Sequence, residues 1–223
     1  MKPASEPQRQ LLLAGGGHSH ALVLKRWAMQ SQHQRMARAR ACRITLVSRA
    51  STALYSGMVP GLVAGLYPRE ACAIDLRRLC RLAGVSFVRA EITGLELEQR
   101  ELVLAGRPPL RWDLLSLDVG AETAVVPEGA RAVKPLEPLL DWCQGFGIGA
   151  DDHEAGLKIL GGGAAAVELA LALRRTVRPR LLLREDQLHL GSAAANACGE
   201  RLLARAGVLI ERQVGEPEAV VAP

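Results

Sequence analysis

The run QLLLAGGGHSHALVLKRWAM, Gln10 to Met29, decides how the rest of the chain reads. Gln10–Ala14 is apolar without alternation and stops at three glycines, Gly15, Gly16 and Gly17. That suits a strand buried on both faces of a parallel sheet. A helix is expected from about Ser19 through Trp27 and Met29. A strand that feeds a helix through G-x-G lets the backbone approach a pyrophosphate closely, and the helix N-terminus adds unpaired N–H groups and positive dipole charge. The third glycine of a full G-x-G-x-x-G falls on His20 and is absent. Taken alone, the triplet is equally a structural glycine turn.

The same pattern returns in the second half. Leu157–Leu160 is apolar, Gly161–Gly163 is a second glycine triplet, and Ala164–Arg175 is an Ala/Leu-rich helical stretch. Ala166 takes the third small-residue position, where a short side chain lets the helix pack close to the sheet, and Val167 and Glu168 follow. The bland alternative is a glycine turn with an alanine-rich packing helix. Two strand–triplet–helix units in one chain point instead to a dinucleotide-binding architecture.

Between and beyond them, hydrophobic periodicity gives strands at Arg43–Ser48, Val85–Arg89, Arg180–Arg184 and Gly207–Glu211. Helices are expected at Asp75–Ala83, closed by Gly84, and at Ala193–Ala206. Ala50–Pro60 reads as loop. Glu91–Leu104 reads as a small antiparallel hairpin turning at Gln99–Arg100, and Leu114–Val119 as a buried strand closed by Gly120. Residues 121–138, with Pro127, Pro135 and Pro138, form a connector, and Leu139–Cys143 a short helix. The expected layout is a disordered tail at 1–9, a first domain at 10–134, a connector at 135–156 and a second domain at 157–223.

Composition narrows the function. The 223 residues carry 28 Lys+Arg and 23 Asp+Glu, a formal net charge of +5. Aromatics are only 3%, so the core is aliphatic and stacking platforms for nucleic acid are largely ruled out. The arginines are scattered along helical stretches with no block of like charge, so a nucleic-acid partner is not expected; a basic surface drawing in an anionic nucleotide and ordinary solvated helix faces remain the two readings. Five cysteines without a C-x-x-C read as free thiols in a reducing compartment. No signal peptide or membrane-length apolar run is visible, so the expectation is a soluble, cytoplasmic protein.

An acidic residue at the end of the second strand would hold ribose hydroxyls. Ser48 and Arg49 stand there in the first half. In the second half the strand ends Arg184, Glu185, Asp186. Glu185 facing the ribose favours an unphosphorylated cofactor; Arg184 facing it tolerates a 2′-phosphate.

The runs LLLAGGGHSHALVLKRWAM, RITLVSRASTALYSGMVPGLVAGLY, AIDLRRLCRLAGVSFVRAEITGLELEQRELVL and LRWDLLSLDVGAET together resemble the flavoprotein module of the two-dinucleotide-binding-domain (pyridine nucleotide-disulfide oxidoreductase) superfamily. Within it the chain is most similar to type II NADH dehydrogenase-like proteins, and most of all to the module fused in front of selenide, water dikinase. The strings GGGHSH and YSGM carry the specificity, and the likeness covers nearly all of Leu11 to Gln213. In that subfamily His20 in place of the third glycine looks normal.

The resemblance implies an α/β fold: a Rossmann-like FAD-binding domain with a small antiparallel hairpin insertion, followed by a partial second Rossmann-like NAD(P)-binding domain. It places Gly15, Gly16, Gly17, His18, Ser19 and His20 at the FAD pyrophosphate and Ser48 and Arg49 near the adenosine ribose. Tyr55, Ser56, Gly57 and Met58 would approach the flavin. Asp118–Ala121, with Gly120, stands where the family has its Ala-Thr-Gly contact. Gly161, Gly163, Ala166 and Glu168, with Glu185, belong to the NAD(P)H site. Lys134–Pro135 falls at the inter-domain crossover. The family's chain also returns to complete the FAD domain, so the end at Pro223 reads as a truncation that exposes apolar surface.

Simpler roles stand beside these. His18 and His20, at i and i+2, share no helix face, so no metal site is expected. Tyr55 and Met58 fit a packed loop, Asp118 a turn cap, Lys134 a surface charge, and Trp27, Trp112 and Trp142 the core or an interface. Cys72 and Cys80 are spaced too widely for a redox pair. The implied reaction is hydride transfer from NAD(P)H to FAD, then electron delivery to a quinone or other acceptor; no catalytic side chain is singled out. The alternatives are a non-catalytic nucleotide-binding or regulatory module linked to selenophosphate synthesis, or an interaction scaffold. A second copy of the chain or a selenide, water dikinase-type protein are the candidate partners.

Overall fold

The structure is a computed structural model that describes residues 9–30, 42–123, 126–143 and 157–215, together with the backbone of 221–222. The expected tail before Arg9, and residues 144–156 of the expected connector, lie outside the described residues. The first half runs β1 (Arg9–Ala14), α1 (His18–Met29), β2 (Cys42–Ser48), β3 (Thr52–Leu54), a 3-10 turn at Ser56–Met58 and α2 (Val59–Val63). Then come β4 (Ala73–Asp75), α3 (Leu76–Ala83), β5 (Ser86–Arg89), β6 (Ile92–Glu96), β7 (Glu101–Leu104), β8 (Arg107–Arg111) and β9 (Leu114–Leu117). The rest is β10 (Arg131–Ala132), α4 (Leu136–Cys143), β11 (Lys158–Leu160), α5 (Ala164–Leu173), β12 (Arg180–Leu182), α6 (Ala193–Arg205), β13 (Leu209–Glu211) and β14 (Val221–Ala222).

The chain divides into two compact units, Met1–Tyr55 with Ala73–Gly120, and Ser56–Cys72 with Ala121–Pro223. This differs from the expected boundary at 134/135. Ser56–Cys72 groups with the second half because α2 packs on α5, and the chain leaves the first unit already after Gly120.

In the first unit a parallel sheet has the order β5-β2-β1-β9. Successive side chains of a strand face opposite ways, so an unbroken apolar run serves two cores. Leu13 and Leu46 face α1 and α3, against Ala21, Leu24, Leu76 and Cys80. Leu12, Ala14 and Val47 face the other way, against Leu102 and Leu104 of a small antiparallel sheet ordered β6-β7-β8. That sheet has a third strand where a two-stranded hairpin was expected. Pro108 and Pro109 disguise β8, and it is an edge strand, where a missing N–H costs least.

Helix α3 shows how tightly the sequence sets its elements. The Asp75 carboxylate accepts from the Arg78 N–H at 2.8 Å, and Gly84 ends the helix in the left-handed region at φ 70°. Two other expectations change. The stretch 50–60 is partly ordered into β3, the 3-10 turn and the start of α2. β9 is the edge of its sheet rather than a buried strand, so Leu114 and Leu117 stay 64% and 59% exposed.

The second unit carries another parallel sheet, ordered β10-β14-β11-β12-β13. Ile159, Leu181 and Leu183 pack against Ala166, Leu169, Ala170 and Leu173 of α5, with Leu203 of α6 and Leu139 of α4 completing the cluster. On the opposite face Leu160 and Leu182 pack with Ala130 and Val214. Among the described residues no helix is long and apolar enough to cross a membrane, and no group of acidic, histidine and cysteine side chains is placed to hold a metal ion.

Candidate functional site

Strand order sets the place of the first site. From β1 the chain crosses through α1 to β2 on one side, whereas β9 lies on the other. The carboxyl end of β1 is therefore a topological switch point, where open parallel sheets leave a crevice for ligands. Gly15, Gly16 and Gly17 occupy it. Gly15 has φ +96°, and a Cβ there would strike the Asp118 carbonyl. A Cβ on Gly16 would meet Leu76 and the Ser48 hydroxyl, and one on Gly17 would meet the Asp118 carboxylate. The triplet lets β1 turn into α1 under close cover of β2, α3 and the chain leaving β9.

Hydrogen bonds fix that turn. Gly15 N–H donates to the Val47 carbonyl at 2.8 Å, and Gly17 N–H to the Asp118 carbonyl at 3.1 Å. The Asp118 N–H returns to the Ala14 carbonyl at 2.8 Å, and its carboxylate accepts from the His20 N–H at 3.0 Å. Asp118 thus caps α1 from outside the helix, which is the capping role expected of it as the simpler reading. His20 is 3% exposed, with Nδ1 at 2.7 Å from the Gly15 carbonyl oxygen and Nε2 at 2.8 Å from the Ser116 hydroxyl. The third-glycine position is therefore filled by a ring that braces the loop from beneath. The N–H groups of His18 and Ser19 have no partner among the described residues. Unpaired N–H groups at the positive end of a helix are an arrangement that can hold an anion.

Around it, His18 stacks on Tyr55 with ring centroids 4.7 Å apart. Ser48 is buried against Gly16 at the end of β2, while Arg49 is exposed and its carbonyl accepts from Arg89 Nε at 3.3 Å. Gly120 has φ +85° and open space around it. Ser56 and Gly57 are exposed and Met58 half-buried, in the second compact unit.

The second triplet sits at the carboxyl end of β11, between β12 and β14, which is again a switch point. Gly161 has φ +137°, and a Cβ on Gly163 would meet nothing within 4 Å. The N–H groups of Ala164 and Ala165 are unpartnered among the described residues, since the next two bond back to the Gly163 carbonyl. Ala166 is buried and brings α5 close to the sheet, as its size suggested. Glu168 is exposed on α5, and Glu185 lies 3.1 Å from His189 Nε2.

His189 and Ser116 are the residues that sequence reasoning missed. His189 N–H donates to the Gly162 carbonyl at 2.8 Å and its ring lies against Gly162, closing one side of the second turn. Its i,i+4 spacing from Glu185 was the one available signal. Ser116 gave none, because its role depends on strand register across the sheet.

No protein-family model matches the sequence, and no curated protein matches it closely enough to count as a relative. Solved structures do match in fold. The sulfide:quinone oxidoreductase of Aquifex aeolicus superposes with a TM-score of 0.69 at 17% identity, covering 96% of this chain and 52% of its own. The NADH:rubredoxin oxidoreductase of Clostridium acetobutylicum gives 0.66 at 16% identity, covering 96% and 57%. Putidaredoxin reductase, solved in covalent complex with putidaredoxin, gives 0.73 at 18% identity, covering 94% and 51%. The chain therefore has the α/β fold of these reductases, with Rossmann-like parallel sheets. It spans about half the length of each of these three structures.

Proposed function

We propose that the chain is a FAD-dependent NAD(P)H oxidoreductase, or the nucleotide-binding portion of one. The observation that carries this reading is the pair of glycine turns, one at the switch point of each parallel sheet, each opening a helix whose first N–H groups have no partner among the described residues. The solved structures of the same fold support it, because they are a sulfide:quinone oxidoreductase, a putidaredoxin reductase bound to putidaredoxin and an NADH:rubredoxin oxidoreductase.

The residues present fit two dinucleotides. His18 and Ser19 N–H would hold the FAD pyrophosphate, with Ser48 and Arg49 at the β2 end toward the ribose. The Tyr55 ring, already stacked on His18, offers an apolar face beside that helix start. At the second turn the open Gly163 surface and the Ala164 and Ala165 N–H groups would take the NAD(P)H pyrophosphate. Glu185 at the β12 end is an acceptor for ribose hydroxyls, which favours NADH. When bound, the two cofactors supply the hydride chemistry; the chain supplies binding and orientation. No side chain needs to transfer a proton in the first half-reaction. The electron acceptor in this reading is a quinone or a small redox protein. A link to selenophosphate synthesis rests on the sequence strings alone.

The test is an absorption spectrum of the purified chain before and after FAD, and then after anaerobic NADH. A bound flavin band that bleaches supports the oxidoreductase. Bound flavin that never bleaches reduces the chain to a binding module, and no flavin uptake rejects the reading.

A further inference from the structure

Three of the contacts that shape the first glycine turn come from one residue. Asp118 donates its N–H to Ala14, accepts from Gly17 through its carbonyl, and accepts from the His20 N–H through its carboxylate at 3.0 Å. The backbone bonds are available to any residue at this position. The carboxylate is a choice of sequence, and it lies against Gly17 with no room for a Cβ between them. A full negative charge therefore sits at the positive end of α1, beside the two N–H groups left open for a ligand anion. Helix termini stabilise one anion well; a second brought to the same turn meets its repulsion. Among the described residues no cation pairs with Asp118 to offset this.

We propose that Asp118 is a resident anion of the dinucleotide site, competing with the ligand's pyrophosphate for the start of α1 and so lowering its affinity. This rests on the reading of the first turn as a dinucleotide site. The carboxylate takes the His20 N–H and confines the incoming anion to His18 and Ser19. It also makes binding weaker than the same turn would give with a neutral acceptor.

The experiment compares the wild-type chain with Asp118→Asn and Asp118→Ser, which remove the charge and keep an oxygen acceptor for the His20 N–H. Inorganic pyrophosphate is titrated while the amide signals of His18 and Ser19 are followed by NMR, and FAD is titrated separately by fluorescence quenching. Both variants are expected to half-saturate with pyrophosphate at about tenfold lower concentration than wild type. The thermal midpoint of Asp118→Asn is expected within about 3 °C of wild type, because its oxygen still caps the helix. Equal or weaker pyrophosphate binding in the variants overturns the proposal, as does a chain in which none of the three proteins shifts those amides. Tighter pyrophosphate binding with no FAD uptake by any of them supports a resident anion and rejects the flavin reading. FAD uptake by wild type with no gain in the variants does the reverse.

Discussion

His20 and Ser116 are joined by a 2.8 Å hydrogen bond that ties the first turn of α1 to the edge strand β9, across 96 positions of sequence. The other ring nitrogen faces the Gly15 carbonyl at 2.7 Å, and a carbonyl can only accept. Nδ1 therefore carries a proton and donates to that carbonyl, while Nε2 bonds the Ser116 hydroxyl, which can donate or accept. His20→Gly restores the third glycine of the dinucleotide motif yet is expected to destabilise the fold by about 3 kcal/mol, by orphaning buried partners and placing glycine in a helix. Urea unfolding of the variant checks this. A loss under about 0.5 kcal/mol would mean that the ring is not the brace described here.

The two glycine turns should respond differently to a methyl group. Gly15 lies at positive φ and under the Asp118 carbonyl, whereas Gly163 faces open space. Gly15→Ala is expected to lose several kcal/mol of stability, from strain and from displacement of the β9 end. Gly163→Ala should unfold within about 1 kcal/mol of wild type, the usual cost of placing alanine at a helix N-cap. It should nonetheless weaken NADH binding at least tenfold, because the Cβ projects into the space claimed for the pyrophosphate. Chemical unfolding and NADH titration of both variants separate the two effects. Unchanged NADH binding in Gly163→Ala would remove the second turn from the site.

Cys80 gives a pH signature. Burial pushes its thiol from an ordinary 9.0 up to about 12, and that of Cys143 up to about 11. The unfolded chain therefore releases these protons first as pH rises. The stability they contribute is complete below pH 9 and is lost progressively toward the folded values. At pH 10.5 the loss from Cys80 is about 2 kcal/mol relative to pH 8. Cys80→Ala removes this component while leaving the other basic titrations in place. Urea midpoints at the two pH values should fall less in Cys80→Ala than in wild type; parallel falls would reject the assignment.

Much of this was readable in the chain because local chemistry and tertiary role agree. The apolar run Leu11–Ala14 followed by glycines, the cap Asp75 and the stop Gly84 each specify their own geometry, and both glycine turns fall where strand order opens a crevice. What escaped depends on partners far away in sequence. β9 reads as buried because its residues are apolar, but nothing in them states that β1 is its one neighbour among the described strands. The Pro108–Pro109 pair hides β8, and the hold of His20 on Ser116 exists only once β1 and β9 are in register. The grouping of Ser56–Cys72 with the second unit follows from α2 packing on α5, which no spacing in the sequence encodes.

Trp112 sets a final test of how the first unit is packed. Its ring packs beside Leu102 and Leu104 between the small sheet and the parallel sheet, but its indole N–H is buried without a partner among the described residues. Leaving a buried donor unpaired costs about 1–3 kcal/mol, whereas the ring itself contributes through the apolar surface it covers. Trp112→Phe keeps most of that surface and deletes the donor, so it should match wild-type stability or exceed it by about 1 kcal/mol. Trp112→Ala opens a void beside Leu102 and should cost about 3 kcal/mol. Thermal and urea unfolding of both variants decides the point. A Trp112→Phe protein as unstable as Trp112→Ala would show that the indole N–H has a partner after all, and that the two sheets are held there by a polar contact rather than by packing.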